Sequence, residues 1–102
     1  MQLIARFSAR PGHEGVVRDL LAGYAEVVRA SDGTVLFEAS TVAKRPQDFV
    51  VFERYRDDAA FRAHLAADEN AQFNSAVAEH LDGDVELQFL TPLTLTTVSA
   101  PD

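Results

Sequence analysis

The 102-residue sequence contains no cysteine and no tryptophan, and no apolar run approaches the ~20 residues that cross a bilayer. The absence of cysteine excludes disulfide scaffolds, zinc–thiolate sites, iron–sulfur clusters and thiol nucleophiles. No basic start followed by a long apolar stretch is found, so no signal peptide is expected. The sequence also lacks a glycine-rich phosphate loop, a nucleophile elbow and a Walker motif. A soluble, cytoplasmic protein is therefore predicted.

Positive charge is absent from the last 40 residues. The chain carries nine Lys and Arg against sixteen Asp and Glu, a formal net charge of −7. The two signs balance up to Arg62, and the seven uncompensated acids all lie beyond it. Binding to nucleic acid requires clustered basic residues that face phosphates, and docking on an anionic membrane requires a basic surface. We therefore expect neither nucleic acid nor membrane among the partners.

What is present is the composition of an ordinary globular domain, 47% hydrophobic and 25% charged. The length allows one domain, predicted over residues 1–93 with a C-terminal tail over 94–102. A domain of about 100 residues buries about two-thirds of its unfolded surface, which is enough for one hydrophobic core.

Hydrophobic periodicity predicts the element order β-α-β-β-α-β. Alternating or doubly apolar patterns predict four strands, over residues 2–10, 34–42, 49–55 and 84–90. Helical spacing predicts a first helix over 13–30 and a second helical region from a cap at Asp57 or Asp58 to Gly83, with a break over 66–70. This order is that of an α+β, ferredoxin-like split βαβ fold, in which two helices cover one face of an antiparallel sheet.

The other face of the predicted sheet is also apolar. It carries Ile4, Leu36, Val50 and Phe52, which form a patch that is too hydrophobic to leave in water. A second copy of the chain is the simplest cover for such a patch. The pattern therefore predicts a homodimer that packs sheet against sheet.

Three segments carry recognisable motifs. Residues 4–14, IARFSARPGHE, combine a short strand, an Arg-Pro-Gly turn and an acidic helix start. Residues 32–38, DGTVLFE, form a turn that leads into a strand, and residues 52–65, FERYRDDAAFRAHL, combine an aromatic-Glu-x-aromatic strand end with a helix that has Phe and His three apart. Together these segments resemble the antibiotic biosynthesis monooxygenase family, over about residues 4–90 of this chain.

The resemblance implies a dimeric α+β barrel. It also implies oxidation of a small phenolic or quinol-like aromatic substrate by molecular oxygen, with no bound cofactor. The haem-degrading branch of the family uses an Asn in the first strand and a Trp and a His in the second helix. Here the matching positions hold Ala5 and His64, and the chain has no Trp. The quinol-monooxygenase-like branch is therefore expected.

His64 and Glu53 are the predicted catalytic residues. A neutral imidazole accepts a proton from a phenol near neutral pH, and a phenolate passes an electron to oxygen more readily than a phenol does. His64 shares an apolar stripe with Phe61, so it should face the sheet, although a hydrogen-bonded core histidine fits the same pattern. Glu53 lies in an apolar strand, where a carboxylate must be paired or have a raised pKa. It either orients His64 or a substrate hydroxyl, or forms a structural ion pair with Arg6, with Arg54 or across the dimer.

Aromatic and amide side chains are the candidate substrate-binding residues, with packing in the core as the alternative for each. They are Tyr24, Tyr55, Phe37, Phe73, Asn74 and Phe89. The two tyrosines are favoured because each hydroxyl needs a partner, and Asn74 could bind a substrate carbonyl.

No metal is expected. His64 and Asp68 are four residues apart and could share one helix face, but no strong third ligand lies nearby in sequence, and His13 and His80 are expected at the surface. Two other functions remain open. One is a non-catalytic dimeric module that binds a small ligand or acts in stress. The other is an isomerase that moves protons with the same His and Glu without oxygen.

Overall fold

The computed structural model describes residues 1–95 and confirms the α+β, ferredoxin-like fold, with the second helical region divided in two. The strands are β1 (Gln2–Ser8), β2 (Thr34–Val42), β3 (Arg45–Tyr55) and β4 (Glu86–Leu90). The helices are α1 (Glu14–Arg29), α2 (Asp58–Ala66) and α3 (Asp68–Ala78). Residues 96–102 of the predicted tail lie outside the described residues, so the domain boundary stays a prediction.

One antiparallel sheet has the strand order β2-β3-β1-β4. In the central strand β1, Ala5 lies opposite Val51 of β3 and Leu87 of β4, and Leu3 lies opposite Phe89. Because side chains alternate between the two faces of a strand, these residues all project from the same face of the sheet. That face carries the core and the cavity described below.

Helix α1 supplies most of the helical side of the core. Its inward positions recur every three or four residues, as the amphipathic pattern predicts. The buried side chains of α1 are Val17, Leu21, Tyr24, Ala25 and Val28. Glu14 in the first turn and Arg29 in the last turn complement the helix dipole. The Arg29 Nε also donates a hydrogen bond to the Phe37 carbonyl at 2.9 Å, which ties α1 to β2.

The turn between β2 and β3 is shorter than the sequence indicates. Charged residues and Pro46 predict a turn over 44–48, but β3 already begins at Arg45, which pairs with Val42. Lys44 adopts a positive φ of 67°, which closes this tight connection. Pro46 is tolerated because the pairing of β1 with β3 extends only to Asp48, so one side of β3 is free of strand partners at the proline.

The predicted break in the second helical region occurs at Ala67, which has extended backbone angles. Asp57 is the N-cap of α2, and its side chain accepts a hydrogen bond from the Ala60 N–H at 2.8 Å. Because Ala67 separates α2 from α3, His64 and Asp68 belong to different helices and do not share one helix face. Helix α3 ends at Ala78, five residues before the predicted stop at Gly83.

Strand β4 is left partly uncovered, because its main packing partner is β1 and not a helix. Leu87 and Phe89 share the helix-facing side of the sheet, as predicted, yet they are 49% and 57% exposed. On the opposite face, Ile4 lies opposite Phe52, and both remain half-buried in the single chain. Within the described part of the chain, no helix is long and apolar enough to span a membrane.

Candidate active site

A cavity of about 480 Å³ lies between the helix-facing side of the sheet and the helices. Most of its lining is apolar, and the polar side chains in it are those of Tyr24, Glu53, His64, Asn70, Asn74 and Asp84. Its lining includes Leu3, Ala5, Phe7, Leu21, Tyr24, Phe37, Val51, Glu53, Phe61, His64, Asn70, Phe73, Asn74, Val77, Val85 and Leu87. Such a cavity has the size and character of a small-molecule site.

The structure brings six of the eight predicted site residues to this cavity: His64, Glu53, Tyr24, Phe37, Phe73 and Asn74. The other two, Tyr55 and Phe89, do not line it in the described part of the chain. Tyr55 packs behind the wall against Glu53 and His64. Phe89 makes an edge contact with Phe61, at a centroid distance of 5.8 Å.

His64 and Glu53 meet across the interface of α2 and β3. The His64 Nε2 lies 3.8 Å from the Glu53 Oε1, and the two side chains are 12% and 9% exposed. That separation is too long for a hydrogen bond, and the two groups form an ion pair only when His64 is protonated and Glu53 is ionised. The arginines considered as structural partners bind elsewhere, since Arg6 donates to Gln88 and Arg54 donates to Gln2.

The hydroxyl of Tyr55 anchors Glu53. Because the two residues are two apart on β3, their side chains project from the same face. The Tyr55 hydroxyl donates a hydrogen bond of 2.6 Å to the Glu53 Oε1. Burial raises the pKa of Glu53, and the hydrogen bond from Tyr55 opposes that rise. Burial and the neighbouring carboxylate raise the pKa of Tyr55 far above its usual value, so the phenol remains a donor.

His64 is held as a neutral base. Burial lowers its pKa below the usual 6.5, because the charged imidazolium loses hydration there. Aromatic rings surround the imidazole, with centroids at 5.0 Å for Tyr55, 6.1 Å for Tyr24 and 6.5 Å for Phe37. At neutral pH the imidazole can therefore accept a proton from a bound acid.

Tyr24 forms an aromatic wall with two neighbours. Its ring stacks on Phe73 at 4.2 Å with an interplanar angle of 5°, and meets Phe37 edge-on at 5.8 Å. These three rings come from α1, α3 and β2, so the wall exists only in the folded chain. Flat, apolar surfaces of this kind suit an aromatic ligand.

Asn70 is a site residue that the sequence analysis missed. Its Nδ2 donates to the Tyr24 hydroxyl at 2.9 Å, and its Oδ1 accepts from the Asn74 Nδ2 at 3.1 Å. Asn70 falls in the predicted helix break, where a polar residue needs no further explanation. The available signal was its spacing of four from Asn74, which puts both amides on one face of α3.

The fold and the site together define a small α+β domain whose apolar cavity holds a histidine, a carboxylate and a tyrosine hydroxyl. The sequence model of the family described as "Antibiotic biosynthesis monooxygenase" matches residues 1–76. The chain is 32% identical to "Putative monooxygenase Rv0793" of Mycobacterium tuberculosis over 91 residues, which is 89% of each chain.

Solved structures agree with this assignment. The structure of Rv0793 superposes with a TM-score of 0.87 at 30% identity, over 94% of this chain and 97% of that one. PA3566 from Pseudomonas aeruginosa superposes with a TM-score of 0.84 at 26% identity, over 91% of this chain and 93% of that one. A Nitrosomonas europaea protein, described as a "Putative antibiotic biosynthesis monooxygenase", superposes with a TM-score of 0.87 over 92% of this chain and 100% of that one. Because its identity is 18%, it supports the fold alone. The chain belongs to the antibiotic biosynthesis monooxygenase family, and a monooxygenase-like role follows at the level of the family.

Proposed function

We propose that this protein is a cofactor-independent monooxygenase that oxidises a small phenolic or quinol-like substrate with molecular oxygen. The observation that carries the proposal is the neutral His64 beside Glu53 in the lining of a mostly apolar, aromatic-walled cavity. A general base in such a place can ionise a phenol whose ring is held away from water.

The reaction begins when the Nε2 of His64 accepts the phenolic proton. The phenolate then gives one electron to oxygen, and the resulting superoxide combines with the substrate radical at a hydrogen-bearing ring carbon to form a peroxide anion, which the imidazolium protonates to a hydroperoxide. The neutral His64 next removes the hydrogen of that carbon as a proton while the O–O bond breaks, which leaves a carbonyl at the carbon. The departing hydroxide takes this proton and leaves as water. One oxygen atom enters the product and the other leaves in water, while the substrate supplies the electrons.

Glu53 is proposed as the residue that positions His64. Its carboxylate lies 3.8 Å from the imidazole, so it stabilises the imidazolium that forms after proton transfer. Because the bond from Tyr55 holds the carboxylate in place, this electrostatic support is present before the substrate binds.

Tyr24 is proposed to bind the substrate oxygen. Its hydroxyl already accepts a hydrogen bond from Asn70, so its own proton is free to point into the cavity. Burial raises the pKa of Tyr24, which keeps the proton in place. The hydroxyl can therefore donate to a carbonyl or phenolic oxygen, while Phe73 and Phe37 hold the ring.

An oxygen electrode with a panel of hydroquinones and phenols tests the enzyme proposal. The wild type should consume oxygen, and with ¹⁸O₂ one labelled atom should appear in the product and one in water. His64→Gln should abolish consumption, whereas His80→Gln, which alters a histidine outside the cavity, should not. Equal rates for wild type and His64→Gln on every substrate turned over would refute the assigned role.

Two other functions are separated by the same substrates. An isomerase that uses His64 and Glu53 would turn over its substrate without oxygen, so product formation under anaerobic conditions would favour it. A non-catalytic module would bind the aromatic ligand without turnover, either aerobically or anaerobically. A cytoplasmic location stays a prediction, which fractionation of the native cells tests.

A homodimer is part of the proposal, because the outer face of the sheet carries Ile4, Val50 and Phe52 half-buried in a single chain. Light scattering after size exclusion should give twice the mass of one chain. Phe52→Glu should shift the protein to a monomer, while Val16→Glu, at a 43% exposed position on α1, should leave the mass unchanged. A monomeric wild type at micromolar concentration would contradict the dimer.

A further inference from the structure

Two histidines outside the cavity are in direct contact. His13 directly precedes α1, and His80 follows α3 by two residues. Their Nδ1 atoms lie 3.0 Å apart, and the ring centroids lie 5.2 Å apart. Both residues are half-buried at the surface. Neither residue lines the cavity that contains His64.

The backbone around this pair is held rigidly. The Arg10 N–H donates to the His80 carbonyl at 2.9 Å, and the His13 N–H donates to the Arg10 carbonyl at 2.9 Å. One residue further along, Ala9 and Leu81 form a β-bridge. The two imidazoles are therefore brought together by main-chain hydrogen bonds, and their proximity does not depend on flexible surface segments.

We propose that His13 and His80 bind a divalent transition-metal ion through their two Nδ1 atoms, with Cu²⁺ and Zn²⁺ as the favoured ions. At a metal–nitrogen distance of about 2.0–2.1 Å, two imidazole nitrogens lie about 2.9 Å apart for a right-angled site and about 3.3 Å apart for a tetrahedral one. The observed 3.0 Å falls within this interval. Imidazole suits both ions, and Cu²⁺ binds most tightly in the divalent series.

Glu79 lies near the other side of the His80 ring. Its Oε1 is 3.6 Å from the His80 Nε2, too long for a hydrogen bond, and its side chain is 78% exposed, so it does not fix the tautomer of the ring. Among residues 1–95, no cluster of three or more His, Asp or Glu side chains is arranged to hold a metal. The remaining ligands of the ion would therefore be water.

A bound ion would connect the start of α1 to the segment after α3. These two helices carry Tyr24 and Phe73, which form part of the cavity wall. Binding to the folded chain alone would raise its thermal stability in proportion to the logarithm of metal concentration. The proposed site is thus separate from the oxygen chemistry, and its test does not depend on that activity.

The test uses the chain without an affinity tag, because a histidine tag would bind the same ions. Electron paramagnetic resonance of the protein with one equivalent of Cu²⁺ should show coupling to two imidazole nitrogens. Isothermal titration should give one site, which His13→Gln and His80→Gln each remove. His64→Gln, which removes the remaining histidine, should leave Cu²⁺ binding unchanged.

Two results would overturn the proposal. One is a spectrum of the wild type with fewer than two coupled imidazoles, which needs no variant and is independent of any folding defect. The other is Cu²⁺ binding that survives both His13→Gln and His80→Gln, or that is lost in His64→Gln. In that case the contact between His13 and His80 is only a hydrogen bond between the two rings.

Discussion

Tyr55→Phe tests the charge state of the buried carboxylate at the site. The substitution removes only the hydroxyl that donates a 2.6 Å hydrogen bond to Glu53. The aromatic ring stays in place, in a residue that is 2% exposed. Glu53 is itself 7% exposed, so water cannot readily replace the lost donor. A hydrogen bond to a charged group contributes about 1.5–3 kcal/mol, and one between neutral groups about 1 kcal/mol.

The expected loss therefore depends on pH. The hydrogen bond from Tyr55 favours the charged form of Glu53. Tyr55→Phe therefore loses more stability at a pH where the carboxylate is ionised. Burial raises the pKa of Glu53 above 4.5 in the folded state. Tyr55→Phe should thus cost about 1 kcal/mol near pH 4, below the raised pKa of Glu53, and about 2 kcal/mol at a pH high enough to ionise Glu53.

Urea unfolding followed by circular dichroism, at one fixed protein concentration, measures both values. A loss of about 2 kcal/mol moves the midpoint by roughly 1 M urea for a domain of this size. In a Glu53→Gln background, Tyr55→Phe should cost the same at both pH values, since no charge remains to stabilise. A loss that is equal at both pH values in the wild-type background would refute an ionised Glu53 held by Tyr55.

Three further predictions concern the base, the backbone and the substrate contact. The kcat/KM of the wild type should rise with pH along a limb whose midpoint lies below pH 6.5. The reason is that burial lowers the pKa of His64 and only the neutral imidazole accepts a proton. A midpoint above pH 6.5 would contradict this. Gly33→Ala should lower stability by about 2 kcal/mol in urea unfolding, because Gly33 has a φ of +89° and an added Cβ would lie 2.7 Å from the Ala60 Cβ. Gly23→Ala should instead raise the stability by about 0.5–1 kcal/mol, because an added Cβ meets open space at this position in α1. Equal changes in stability for Gly33→Ala and Gly23→Ala would rule out the steric explanation. Tyr24→Phe should raise the KM for oxygen-bearing aromatic substrates more than it lowers kcat, and an unchanged KM would remove Tyr24 from the binding site.

The fold was predictable because its determinants are local. Strict alternation in β1 places Leu3, Ala5 and Phe7 on one face, and the structure buries all three. The stripe of α1 faces the sheet for the same reason. The errors fall where local signals compete with pairing. The residues around Pro46 have the composition of a turn. Pairing with β2 nevertheless extends β3 back to Arg45, because backbone hydrogen bonds to β2 are available there.

The site was predictable only in part. An acid in an apolar strand and a histidine on an apolar helix stripe are anomalies that can be seen one residue at a time, and both line the cavity. Asn70 carries no such anomaly, because a polar residue near a helix break is ordinary. Its importance comes from the Tyr24 hydroxyl, which lies 46 residues away in the chain.

The sequence by itself determined the order of the elements, the faces that β1 and α1 bury and the family to which the chain belongs. These properties depend on periodicity and on short motifs, which the chain carries locally. Only the tertiary structure decided that Glu53 is anchored by Tyr55 and approached by His64, and that His13 touches His80. Such contacts depend on strand register, on the break at Ala67 and on how the helices pack against the sheet. A change of a few ångströms in any of these would separate the pairs without altering the hydrophobic pattern.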